Sequence, residues 1–182
     1  MNKYLKRGLI IVVTLGILLY AAYLFMVAQT KKHSPEATVT YNTGGYDLEV
    51  FYNRPYKKDR TIFGSLVPYG QVWRTGANEA TTFETTTDLM IDGKPLKAGK
   101  YTLWTIPEAD HWTVIFNSKQ YNWGVNRSGV SREAAYDVLQ AVVPVESLGN
   151  VSEQFTIALE DLNGKPAMTL MWDQTKVAVV ME

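Results

Sequence analysis

Residues 8–28 form an unbroken apolar run, GLIIVVTLGILLYAAYLFMVA, with no charged side chain in 21 positions. At about 1.5 Å per residue a helix of that length rises about 32 Å, matching a hydrocarbon core about 30 Å thick. Backbone N–H and C=O groups find no water there, so a spanning segment must satisfy its own hydrogen bonds as a helix. Tyr20 and Tyr23 lie toward its C-terminal side, where an aromatic belt is expected. Past residue 36 the pattern changes to short runs of alternating apolar and polar positions. Phe155, Ile157 and Leu159 share one face of a strand, while Tyr101, Leu103 and Thr105 oppose Thr102, Trp104 and Ile106 in another.

These alternations predict strands at residues 37–41, 46–52, 81–86, 89–91, 100–106, 112–116, 138–145, 154–160, 167–172 and 176–181, rich in Val, Ile, Thr, Tyr, Phe and Trp. Asp92-Gly93 and Asn163-Gly164 carry the turn chemistry of tight hairpins. Trp104 and Trp112, on neighbouring hairpin strands, are expected to face one another across the ladder. The stretch 131–139 reads either as one helical turn capped by Ser131 or as a loop entering the next strand. The fold class expected is all-β, an antiparallel β-sandwich or Greek-key barrel, preceded by one N-terminal transmembrane helix. The organisation is a basic tail over 1–7, a span over 8–28, a linker over 29–36 and an all-β domain over 37–182.

Charge refines this picture. The 18 basic and 18 acidic residues cancel, but no acidic residue precedes Glu36. The first 33 residues therefore carry +5, and Ser34 to Glu182, with 13 basic and 18 acidic residues, carries −5. Lys3, Lys6 and Arg7 before the span outnumber Lys31 and Lys32 after it, which predicts a cytoplasmic N-terminus and a body in the periplasm or at the cell exterior. The apolar run exceeds the usual signal-peptide core, and Met26 occupies a position that cleavage needs small, so the expectation is an uncleaved anchor held in the lipid bilayer through residues 8–28. A mildly acidic body is a poor partner for nucleic acid. The absence of Cys and a count of two His leave no thiolate or poly-His metal centre, and no phosphate-binding glycine loop occurs, so no metal or cofactor is expected.

The segment from Arg54-Pro55 through Arg60-Thr61-Ile62-Phe63-Gly64, Leu66-Val67-Pro68-Tyr69-Gly70 and Val72-Trp73-Arg74-Thr75-Gly76-Ala77-Asn78-Glu79-Ala80 is distinctive. Gly93-Lys94-x-Leu96-x-Ala98-Gly99-x-Tyr101-x-Leu103-x-Thr105-Ile106-Pro107, then Trp112 to Asn117 and Trp123-Gly124, follow it. Together these resemble the domain-of-unknown-function family 2911 over nearly the whole body. The resemblance implies a bacterial, exported or membrane-tethered domain and carries no catalytic residues with it.

Polar chemistry concentrates in the same segment. Arg54, Arg60, Arg74, Asn78 and Glu79, with Trp73 and Trp123 as aromatic walls, are the candidate ligand-binding residues. Arg offers a planar fork suited to carboxylate or phosphate oxygens. The functional reading is a non-catalytic binding or envelope-associated module with a pocket for a carbohydrate or small anion. One alternative is a hydrolase or isomerase acting through Glu79 and Arg74; another is a purely structural or partner-docking domain. In the bland reading Arg74 or Arg54 pairs with Glu79 to staple a long loop, and most Trp side chains pack in the core. His111, beside Asp110 in a turn, lacks a nucleophile in any elbow pattern and reads as solvated.

Overall fold

The computed structural model describes residues 2–182, which divide into two compact units, residues 2–33 and 34–182. The first is a single helix, α1 (Lys3–His33). It is long and apolar enough to cross a membrane, and none of its side chains is buried against protein. Lys31, Lys32 and His33 fill its last turn, where cations complement the partial negative charge of the helix end.

The second unit is built of antiparallel strands: β1 (Glu36–Thr43), β2 (Tyr46–Asn53), β3 (Thr82–Thr85), β4 (Leu89–Ile91), β5 (Lys94–Leu96), β6 (Gly99–Pro107), β7 (His111–Asn117), β8 (Val125–Asn126), β9 (Gly129–Val130), β10 (Asp137–Pro144), β11 (Glu146–Leu162) and β12 (Lys165–Val180). One sheet has the order β1-β2-β3-β6-β7-β10. Against it pack the β11–β12 ribbon and the β4–β5 hairpin, the latter joined to the end of β12 by an Ile91–Met181 bridge. The chain changes layer after β3, after β5 and after β10. This is the antiparallel sandwich expected of the alternating pattern.

Period two determines what each layer buries. Leu48 and Val50 on β2, Phe83 on β3, Leu103 on β6, Val114 and Phe116 on β7, and Leu139 and Ala141 on β10 form one inner face. Phe155, Ile157, Met168, Leu170 and Trp172 form the other. Each large apolar side chain sealed in this way contributes about 1.5–3 kcal/mol relative to exposure. The two predicted strands at 167–172 and 176–181 are the arms of β12, which turns back at Asp173, where φ is +55°. The N–H of Met181 donates to Pro166 O at 2.9 Å, and Lys165 pairs with Glu182, so the two ends of β12 lie side by side. Asp92-Gly93 and Asn163-Gly164 form the tight hairpin turns, both residues of each at positive φ. The 131–139 stretch holds one short 3₁₀ turn, Ala134–Tyr136, that runs directly into β10.

The expected Trp104–Trp112 pair is corrected by the register. Trp104 lies opposite Ile115, and Trp112 lies opposite Pro107. An odd offset between them sends the two indoles to opposite faces: Trp112 joins the core, while Trp104 lies on the outer face beneath the loop after β7.

Candidate functional site

The β2–β3 connection, residues 54–81, carries all but one of the candidate residues and is fastened at both ends. Arg54 continues β2, and its N–H donates to Pro35 O at 2.9 Å. The side chain reaches β11: Nε donates to Phe155 O at 3.4 Å and a terminal nitrogen to Thr156 Oγ1 at 3.1 Å. Gln154 Nε2 returns a bond to Arg54 O at 3.0 Å. Arg54 thus joins the two layers, and its planar fork serves the sandwich.

Arg60 is exposed and folds onto its own turn. Its Nε donates to Lys57 O at 2.9 Å, and its terminal nitrogen bonds Tyr56 O. Lys57 Nζ in turn donates to Arg60 O at 2.6 Å and pairs with Asp173 at 3.1 Å. The turn itself, Lys58-Asp59, has both residues in the left-handed region.

Trp73 is partly buried and packs against the core. Its backbone pairs with Thr105 on β6, N–H to O at 2.7 Å and O to N–H at 3.0 Å. Its ring stacks on Trp172 at 5.9 Å and meets Phe63, Trp112 and Phe155 edge-on at 6.3, 6.2 and 5.0 Å. The indole N–H donates to Gly76 O at 3.2 Å. Thr75 Oγ1 contacts Thr105 Oγ1 at 3.2 Å, and Thr81 Oγ1 donates to Thr75 O at 2.6 Å, so the loop is also bonded within itself.

Asn78 and Glu79 meet Asn53, the last residue of β2. Asn53 Nδ2 donates to Glu79 Oε2 at 3.1 Å, and Asn78 Nδ2 donates to Ser34 O at 3.2 Å and to Asn53 Oδ1 at 3.4 Å. Asn78, at φ +51°, adopts the left-handed conformation that Asn tolerates better than most side chains. Asn53 is fully buried here and was not singled out by its sequence context. Its one signal was a polar residue ending an apolar strand.

Arg74 differs from the others. It is half-buried, and among the described residues its one hydrogen bond is from a terminal nitrogen to Trp123 O at 3.2 Å. Burial pulls the guanidinium below its ordinary pKa, and the negative charge of Glu79 opposes that pull. The structure brings Arg74, Glu79 and Trp123 into one neighbourhood, while Arg54, Arg60 and Trp73 are committed elsewhere. The loop after β7 supplies the opposite wall: Ala80 N–H donates to Asn122 O at 2.9 Å, and Trp123 is half-buried. Gly124 fits closely against this wall. At φ +66°, a Cβ there would stand 3.1 Å from the Trp104 ring and 3.2 Å from Arg74 Cβ. Trp104 Nε1 is buried beneath with no hydrogen-bond partner. The loop is held at its far end by the Arg132–Asp137 ion pair and by Asn117 Nδ2 donating to Asp137 Oδ1 at 2.8 Å. His111 opens β7 directly after the β6–β7 turn and contacts Asp110 at 2.7 Å, which holds that carboxyl below its usual range. Among the described residues no group of three His, Asp or Glu side chains is placed to hold a metal ion.

Comparison with known families decides the kinship. A family model for proteins of unknown function, DUF2911, matches residues 34–181. The chain belongs to the DUF2911 family. The match coincides with the β-unit and leaves α1 outside it. No curated protein and no solved structure matches the chain.

Proposed function

We propose that this DUF2911 member is a bilayer-tethered, non-catalytic binding module, with its body on the extracytoplasmic side and a polar ligand read by Arg74. The observation that carries the reading is the state of that guanidinium. An Arg side chain has five N–H donors, and here a single bond to a carbonyl accompanies partial desolvation. The negative charge of Glu79 opposes the effect of burial, and a further acceptor oxygen would complement the guanidinium in the same sense. A sugar hydroxyl or a small oxyanion offers that acceptor, and the half-buried Trp123 beside it offers a flat apolar wall. Arg54 and Arg60 each direct two guanidinium nitrogens to groups of the fold, and Arg74 directs one, so Arg74 is the residue on which recognition turns. The helix α1 and the excess of basic residues before it support the tether and its orientation.

The test is a titration of the full chain in nanodiscs with N-acetylglucosamine oligomers, glucuronate and inorganic phosphate, followed by Trp fluorescence. Saturable binding that Arg74→Ala lowers at least tenfold, and Arg74→Lys restores in part, supports the reading. Binding that Arg74→Ala leaves intact excludes Arg74 as the contact.

A further inference from the structure

The loop 62–70 projects an apolar tip. Ile62 and Val67 are buried in the core, whereas Leu66 and Tyr69 between and beyond them are 45% and 42% exposed. Ser65 and Pro68 are exposed with them. This tip is a built structure. Gly64 N–H donates to Val67 O at 2.9 Å, Val67 N–H to Ile62 O at 2.9 Å, and Gly70 N–H to Pro107 O at 3.0 Å. The Tyr69 ring lies over Gly64, at φ +81°, where any Cβ would come within 2.8 Å of Tyr69 Cε2. The two exposed side chains are therefore held outward in a fixed conformation, and presenting them to a partner costs little further order.

The place of the tip in the sandwich selects the partner. The chain enters the β-unit at Ser34 and Pro35, and the register sets Glu36 opposite Asn53. That end of β2, the start of β3 and the Pro107 end of β6 lie at one end of the sheet, and Gly70 is bonded there. The Thr43–Tyr46 turn lies at the opposite end. The tip thus sits at the end where the polypeptide arrives from its apolar helix. Leu, Pro and Tyr are a residue set suited to the headgroup and acyl boundary of a bilayer. The patch is two large side chains and a proline, too small for a stable protein interface. A tether removes that limit for a lipid surface, because insertion becomes intramolecular and weak contacts suffice.

The geometry points to the Ser65–Tyr69 tip as a docking element that dips into the lipid interface of the bilayer in which this chain is anchored. The inference rests on the anchor reading above.

The chain has no Cys, so single labels are clean. Nitroxide would be attached at Ser65→Cys, and separately at Thr43→Cys in the opposite turn, in the full chain reconstituted into vesicles of phosphatidylglycerol and phosphatidylethanolamine. Relaxation by oxygen and by a water-soluble nickel chelate reports depth. The expected result is an oxygen-to-nickel ratio several-fold higher at 65 than at 43, reduced when Tyr69→Asp is added. Equal ratios at both positions in vesicle-retained protein overturn the inference. So does a label at 65 shielded from both reagents, which signifies a protein contact. Loss of the chain from the vesicles overturns the anchor reading, and this inference with it.

Discussion

The Arg74 guanidinium donates to the carbonyl oxygen of Trp123 at 3.2 Å, joining loops 49 residues apart in the chain. That bond couples a half-buried cation of the family's distinctive segment to the loop that roofs Trp104. It ties Arg74 to the loop after β7, whereas Arg54 is tied to β11 and Arg60 to its own turn.

Arg54 and Arg74 are therefore expected to part company under substitution. Arg54→Ala removes bonds to Phe155 O and Thr156 Oγ1 and costs about 1.5–3 kcal/mol of stability, the range for hydrogen bonds involving charged groups. It leaves any ligand affinity measured at Arg74 unchanged. Chemical denaturation and the fluorescence titration, run on both variants, check the two halves. A loss of affinity in Arg54→Ala without loss of stability contradicts this division.

Gly124 is the tightest point of the roof. Gly124→Ala places a methyl group against the Trp104 ring and Arg74 Cβ and imposes a positive φ on an L side chain. The expected cost is about 1–3 kcal/mol, as for overpacking of a fitted site. Near-ultraviolet circular dichroism should change with it, because Trp104 packs edge-on against Tyr121 at 5.2 Å. An unchanged spectrum and an unchanged melting temperature would show the roof to be loose.

The aromatic cluster should dominate stability. Trp73→Ala opens a void among Phe63, Trp112, Phe155 and Trp172 and costs about 3–5 kcal/mol. Trp73→Phe, which keeps most of the contact, costs less. Thermal melts rank the three proteins, and a Trp73→Ala variant as stable as the parent would contradict a core role for this side chain.

The strands and their turns were legible because two local signals agreed at each point. Alternation marked the faces of β6 and β11, and the Asp-Gly and Asn-Gly pairs closed the β4–β5 and β11–β12 hairpins. What eluded the sequence depended on long-range register. β5 is three residues long and contains Pro95, and β8 and β9 have two residues each, too short for any period to show. Trp104 was assigned the wrong partner because a single step of offset decides which face a side chain occupies. The destination of Arg54 on β11 lies 101 residues away and leaves no local trace. The candidate segment was found by its composition, but which of its arginines is structural was written only in the tertiary contacts.

Asp88 gives a pH test at the β4 end of the sandwich. Its carboxylate accepts from Lys97 Nζ at 2.7 Å and from the Ala98 N–H at 2.9 Å, and these bonds hold its pKa below the ordinary value. A depressed folded pKa means that the unfolded chain takes up the proton first as pH falls. The stabilisation is thus present above the unfolded value of about 3.9 and is lost as pH falls below it through the folded value. Asp88→Asn should lie below the parent in stability at neutral pH and converge with it in acid. Parallel curves from neutral pH down to pH about 3, well into the window of protonation, would contradict the assignment.

The tether is the premise of the functional reading, and alkaline extraction tests it most directly. Membranes from cells expressing the full chain are washed at high pH, and the protein in pellet and supernatant is weighed by intact-mass spectrometry. The account predicts that the chain stays in the pellet with residues 8–28 still attached. Release into the supernatant, or a pellet species lacking the apolar helix, would contradict it.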